Sequence, residues 1–418
     1  MTSPEQITVR SPEDILGFIP HSLGYWPAAS LVAMTLQGNR LGATLRLDLP
    51  VGDSLSDPVA FAHAVRGYLK ADLQADGTLL AVFTSKRRRA TPGGYDLLLA
   101  GLQSVLAEAG MPVRSAWYVG EDYWRDAYCS DPACCPLPGR PVQEIRDSML
   151  SAEMVFRGSS IGPVPGDRPG PARPVPSLYQ AAVAEEETAW SAQLEGGRRS
   201  RAQFEAVLDV WTALLRSPTG ATPAPTAERD GFLRASLLVP AWRDSVLVMA
   251  AAGREAASAG AELFGIFEDG CAHQPVGPST GLLVTASAEA TAWAACPLPQ
   301  GPDAAGLGGL PGYGDVLMGL EPERPHWGRL DLLDLVLEQL AASGGQAQAA
   351  AAALTGRGWI AWCRGRGSYS AAYLGQALDI EPGYRLAELL LEMVRRGTLC
   401  GWAARKDAAW QTFGPDAA

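Results

Sequence analysis

The chain has 418 residues, 47% hydrophobic and 19% charged, which excludes a disordered chain and points to two or three folded domains. A formal net charge of −11 and a pI near 5.0 argue against a nucleic-acid partner, because such binders gain affinity by neutralising phosphates. No apolar run approaches the ~18 residues of a spanning helix, and the opening Met-Thr-Ser-Pro-Glu-Gln lacks the basic flank and apolar stretch of a secretory signal. No membrane partner is expected, and the cytoplasm is the expected compartment, where thiols stay free.

The first 160 residues read as α/β. Ser30–Leu36 is a β-prone apolar run, Gln37-Gly-Asn-Arg40 a turn, and Leu41–Leu49 alternates Leu45, Leu47 and Leu49 against Thr44, Arg46 and Asp48. That pattern predicts a hairpin with one buried face. An amphipathic helix over Pro58–Leu73, a buried strand over Thr78–Ser85, a helix over Tyr95–Ala109 closed by Gly110 and a strand over Val113–Val119 follow. The order β-β-α-β-α-β implies a mixed sheet with helices packed on it. Gln143–Phe156 reads as one further helix.

Residues 161–177 form a linker, since Gly162–Pro176 holds six prolines and three glycines. Residues 178–418 read as mainly helical: Ser177–Arg216, broken near Gly196-Gly197, then Ala227–Ala252 and Gly281–Cys296, with an irregular Gly301–Gly314. In the last hundred residues Leu330, Leu333, Leu337 and Leu340 make one stripe, with Asp331 and Asp334 in early turns that suit acids. Gln346–Cys363 is an alanine-rich helix. Ser370–Asp379 and Tyr384–Arg396 pair across Glu381-Pro-Gly383 as a tetratricopeptide-like helical hairpin, without a 34-residue repeat elsewhere. The fold class is therefore an α/β (α+β) N-terminal domain with a mixed sheet, then a mostly α-helical C-terminal region.

Four short segments carry a family likeness: Ile19-Pro-His-Ser-Leu-Gly-Tyr-Trp-Pro27 with Ser30-Leu-Val32; Arg46-Leu-Asp-Leu-Pro50; Cys129 to Pro136 with Gly139; and Trp359 to Trp362 with Asp379-Ile-Glu-Pro-Gly-Tyr-Arg-Leu-Ala387. In this order they resemble the bacterial family of domain of unknown function 4192, over nearly the whole chain. The resemblance implies no activity. Many members of that family carry acidic residues where this chain has Ala28 and Ala29, so the resemblance also implies that no required carboxylate sits there.

The densest chemistry lies in Cys129-Ser-Asp-Pro-Ala-Cys-Cys-Pro136, with three of the chain's seven cysteines. Thiolates are preferred zinc ligands, yet Cys-x4-Cys-Cys is not the usual Cys-x2-Cys knuckle, and no histidine lies between His63 and His273. A labile disulfide from Cys129 to Cys134 or Cys135 is a second reading, and a packed turn with buried thiols leads. Cys271, Cys296, Cys363 and Cys400 read as small buried hydrophobes. Arg46 and Asp48 share a strand face and could hold a polar ligand, although a structural ion pair is the commoner outcome. Arg125, beside the cysteine loop, could serve the same site. Lys86-Arg-Arg-Arg89 could bind an anion or simply be a solvated loop. Arg364-Gly-Arg-Gly367 reads as an interhelical turn.

No Gly-x-Ser-x-Gly, phosphate loop or His-Glu-x-x-His pattern is present, so no catalytic, cofactor or metal residue is assigned. Two readings stay open. One is an interaction or scaffold protein that presents its helical region to an unknown protein partner. The other is a small-molecule-binding or hydrolytic enzyme with Arg46, Asp48, Arg125, Cys129, Cys134 and Cys135 around a site on the sheet. Convergence of those residues in one concavity would favour the second. No oligomeric state follows from the sequence.

Overall fold

A computed structural model describes residues 9–50, 58–84, 95–166, 175–216, 224–268, 273–278 and 310–410. The chain divides into two compact units, Met1–Asp167 and Arg168–Ala418.

The first unit is built on a six-stranded sheet of order β2-β1-β3-β4-β5-β6. Its strands are β1 (Ser30–Gln37), β2 (Arg40–Asp48), β3 (Gly77–Phe83), β4 (Val113–Val119), β5 (Tyr123–Asp126) and β6 (Arg140–Pro141). Only β3 and β4 are parallel, because the helical crossover between them returns the chain in the same direction; the other neighbours are antiparallel. This is the mixed sheet expected. β3 is buried along its whole length, so its Leu-Leu-Ala-Val-Phe run is apolar on both sides.

Each face of the sheet has its own core. Leu31, Ala33, Leu80, Val82, Ala116 and Tyr118 pack with Ala62 and Val65 of α2 (Pro58–Leu69) and Leu98, Leu102 and Leu106 of α3 (Asp96–Glu108). On the other face Val32, Met34, Ala81, Phe83, Trp117 and Val119 pack with Leu16 and Ile19 of α1 (Pro12–Leu23) and Ile145 of α4 (Gln143–Arg146). The helix α1 is an addition to the sequence reading. Its start is encoded by Ser11, whose side chain accepts from the Asp14 N–H, and by Pro12 at the first helical position. Gly24, at φ +82°, closes it. Pro20, inside the helix, masks the pattern, since proline normally ends a helix. The segment expected as one helix over Gln143–Phe156 is two, because Ser148 caps a new helix, α5 (Met149–Phe156), through the Ser151 N–H at 3.1 Å.

The second unit contains eleven helices among the described residues. They are α6 (Ser177–Glu195), α7 (Arg201–Leu215), α8 (Ala227–Leu237), α9 (Pro240–Ala252), α10 (Arg254–Leu263), α11 (Tyr313–Leu317), α12 (Trp327–Ala342), α13 (Ala347–Cys363), α14 (Gly367–Ile380), α15 (Arg385–Arg395) and α16 (Gly401–Ala404). The expected helix over Ala227–Ala252 is bent by 105° between α8 and α9, where Pro240 occupies the first position of the second helix. The predicted Gly281–Cys296 helix and most of Gly301–Gly314 lie outside the described residues. The Leu330, Leu333, Leu337 and Leu340 stripe is buried.

The axis of this unit is α13, buried from Ala349 to Cys363. Its alanines and glycines let neighbouring helices approach closely: a Cβ at Gly358 would lie 2.7 Å from Leu374 Cγ on α14. A helix buried on all sides reads as apolar all round, and the buried length of α13 does so except at Arg357 and at Thr355, whose hydroxyl donates to the Ala351 carbonyl at 2.7 Å. The expected hairpin is α14 and α15, joined across Glu381-Pro382-Gly383 with Gly383 at φ +82°.

Candidate functional site

In the first unit, Arg46 Nη2 meets Asp48 Oδ1 at 2.6 Å, and Arg46 Nε donates to Ser30 Oγ at 2.8 Å. The Asp48 side chain is 81% exposed, so this is a surface ion pair worth about 0–1 kcal/mol. Arg46 lies opposite Val32, placing it on the α1 side of the sheet. Arg125 lies opposite Tyr118, on the α2–α3 side. Four strand spacings separate β2 from β5, roughly 19 Å at the usual interval. The structure thus keeps Arg46 and Asp48 apart from Arg125 and the cysteine loop.

The cysteine loop itself is tightly organised. Asp126 Oδ1 accepts the N–H groups of Tyr128 and Cys129 at 2.8 and 2.9 Å. The Asp131 carbonyl accepts from Cys134 and Cys135 at 3.2 and 2.7 Å, and its Oδ1 accepts from Ala133 N–H at 2.8 Å. Arg125 Nη2 donates to the Cys129 carbonyl at 3.2 Å. These bonds bring the sulfur atoms of Cys129, Cys134 and Cys135 within 4.8 Å of one another. Cys135 is buried and Cys129 half-buried, but Cys134 is exposed, so the turn is not one of buried thiols throughout. Thiol hydrogen bonds with Cys129 and Cys135 push the Cys134 thiol up to about 11. Lys86–Arg89, Cys271 and Cys296 lie outside the described residues. Cys363 and Cys400 are buried, as expected, and burial pushes the Cys363 thiol well above its ordinary value.

A second polar site, in the helical unit, was not predicted. Asp331 and Asp334, expected to answer the α12 dipole, instead hold arginines of α13 and the residue after it. Arg364 reaches Asp331 Oδ1 at 2.6 Å and Asp334 Oδ2 at 2.7 Å. Arg357 reaches Asp334 Oδ1 at 2.9 Å, Glu338 Oε1 at 3.2 Å and the Tyr373 hydroxyl at 3.1 Å. Burial would raise the Asp334 carboxyl, but Arg364 and Arg357 hold it below the usual carboxylate range. The same acids keep both guanidiniums above their ordinary value, against burial.

Arg366 is different. It lines, with Asp334, Glu338, Arg357, Arg364 and Tyr373, a cavity of about 210 Å³. Its guanidinium sits over the rings of Trp410 and Tyr369, with centroids at 4.5 and 5.5 Å. Among the described residues no acceptor is paired with it. Burial, and then the charge of Arg364, push it below its ordinary value. Arg364 Nε is likewise buried without an acceptor. The site therefore has two guanidinium groups with donor capacity to spare, facing a polar cavity edged by aromatic rings. Its signal was present in the spacing: Arg357 lies on α13 and Arg364, seven residues on, at its C-cap, while Asp331, Asp334 and Glu338 fall on one face of the preceding helix. Arg364-Gly-Arg-Gly367 is an interhelical turn, with Gly365 at φ +73°, and it carries two of the cavity's three arginines.

A mixed sheet with a polar, catalytically unmarked loop and a separate helical unit with an arginine-lined cavity define a two-unit α/β plus α-helical protein. The chain belongs to the family described as Domain of unknown function (DUF4192), which matches residues 12–268 and 329–399. No curated protein and no solved structure matches the chain. No single helix among the described residues is long and apolar enough to cross a membrane.

Proposed function

We propose that this is a cytoplasmic interaction protein whose helical unit recognises an anionic group, carboxylate or phosphate, presented by a protein partner. The observation that carries the reading is the Arg366 guanidinium, stacked on Trp410 without an acceptor of its own. A cation held by aromatic rings and opposed by a neighbouring cation gains most from an incoming anion, and the planar guanidinium fork suits carboxylate and phosphate oxygens. A cavity of about 210 Å³ accommodates one side chain or chain end rather than a folded surface. The surrounding pairs of Arg357 and Arg364 with Asp331, Asp334 and Glu338 hold the lining fixed before the ligand arrives. The alternative of an enzyme seated on the sheet needed Arg46, Asp48 and the cysteine loop to converge, and it draws no support from residues on opposite faces.

The test is calorimetric titration of the full chain with peptides ending in Asp or Glu, the same peptides amidated at the C-terminus, phosphopeptides, and free phosphate and acetate. Binding of acidic or phosphorylated peptides that Arg366→Gln weakens at least tenfold is expected. Binding of free anions alone would move the reading to a small-molecule receptor. No binding in any arm would remove it.

A further inference from the structure

We infer that Cys129, Cys134 and Cys135 form a three-thiolate binding site for a thiophilic d10 cation, with Zn²⁺ as the ion tested. The three sulfurs come from a single turn and lie within 4.8 Å of one another. Zinc–sulfur bonds of about 2.3 Å place tetrahedral ligands about 3.8 Å apart, so small side-chain adjustments suffice to close the site. Preorganisation comes from the backbone. Asp126 fixes the Cys129 N–H, and the Asp131 carbonyl fixes those of Cys134 and Cys135. The adjacent pair Cys134-Cys135 departs from the familiar knuckle spacing, and it is the Asp131-centred turn that lets both sulfurs face Cys129.

Charge and access agree with this assignment. Three thiolates around Zn²⁺ carry one net negative charge, and Arg125, bonded to the Cys129 carbonyl, supplies the compensating positive charge next to the site. Binding releases the three thiol protons to solvent as the three metal–sulfur bonds form; no electron is transferred. Among the described residues no His, Asp or Glu ligand atom joins the three sulfurs. Asp131, the nearest carboxylate in sequence, is engaged with the Ala133 N–H. With Cys134 exposed, the fourth position opens to solvent, as in zinc sites that retain a water or exchange a ligand. A soft thiolate set excludes magnesium and calcium, which take oxygen ligands.

The experiment uses the full chain, isolated under reductant and incubated with Zn²⁺ and, separately, with Cd²⁺. About one equivalent of zinc per chain should survive removal of excess metal, and Cd²⁺ should produce a thiolate-to-metal charge-transfer band. Thiol titration should show three fewer reactive groups with metal bound than after chelation. Because Cys134 is exposed, Cys134→Ser keeps the fold. It should weaken zinc binding by more than the 10–100-fold that outer-sphere changes cost. Unchanged zinc affinity in Cys134→Ser, equal thiol counts with and without chelator, or a disulfide among these cysteines in the reduced preparation would each overturn the assignment.

Discussion

Arg234 and Glu187, 47 residues apart on α8 and α6, form an ion pair at 2.8 Å with both side chains fully buried. Arg234 also donates to the carbonyls of Leu340 and Gln346, and Glu187 accepts the Gln346 N–H at 3.2 Å. One charge pair thus fastens the turn between α12 and α13 to two earlier helices. Removing one partner leaves a bare buried charge. Arg234→Met should cost roughly 3–5 kcal/mol, and adding Glu187→Leu should restore much of that loss. Urea denaturation of the three proteins checks this; equal stability of the single and double variants would contradict it.

Arg366 should behave in the opposite way. Its charge is disfavoured by burial and by Arg364, so Arg366→Gln should leave thermal stability unchanged or raise it while weakening anion binding at least tenfold. Asp334 is the complement. It is held by both Arg357 and Arg364, and Asp334→Ala should destabilise the unit by about 2–4 kcal/mol, measured by chemical denaturation.

Acid sensitivity should arrive in two stages. His21 is pushed below its ordinary value by burial, and His326 by burial and then Arg329. A lowered histidine favours the neutral folded form, so its contribution is complete above about pH 6.5 and is lost as pH falls from there through the folded value. The lowered Asp334 adds a second loss, beginning below about pH 4. Denaturation between pH 8 and pH 3 should show both steps, and His21→Gln should remove part of the first.

Ala29 occupies the left-handed region at φ +46°, the one described non-glycine residue to do so. That conformation costs an L-residue about 1–2 kcal/mol, partly offset in glycine by greater unfolded-state freedom. Ala29→Gly should therefore raise stability by about 0.5–1 kcal/mol in thermal melts, because the Ala29 carbonyl still accepts the Leu49 N–H at 2.9 Å.

The sheet was legible because alternation in Leu41–Leu49 and the unbroken apolar run of β3 are local signals. In the second unit α12 was legible from its leucine stripe and α13 from its run of alanines, whereas α10, over Arg254–Leu263, was not anticipated. What escaped depends on tertiary placement. Pro20 hid α1, although Ser11 and Gly24 marked its ends. Arg46 and Arg125 looked like partners until strand order and register put them on opposite faces. Asp331 and Asp334 read as dipole-matched acids because the arginines they meet lie 33 and 30 residues away for Arg364, and 23 residues from Asp334 for Arg357. The Arg366 cavity needs three helices and Trp410 together, and no single window of sequence contains them.

The two borders of the sheet carry features that disfavour pairing with a foreign strand. On one side β6 is two residues long and ends in Pro141, which has no N–H to offer a foreign strand. Arg140 there is tied to Glu13 and Glu144 and lies over the Trp124 ring at 4.9 Å, capping the border with charge. On the other side β2 is nine residues long but carries Arg40, Arg46 and Asp48. The Arg46–Asp48 pair therefore acts as a gatekeeper: replacing both with valine would turn that border into an adhesive strand prone to self-association.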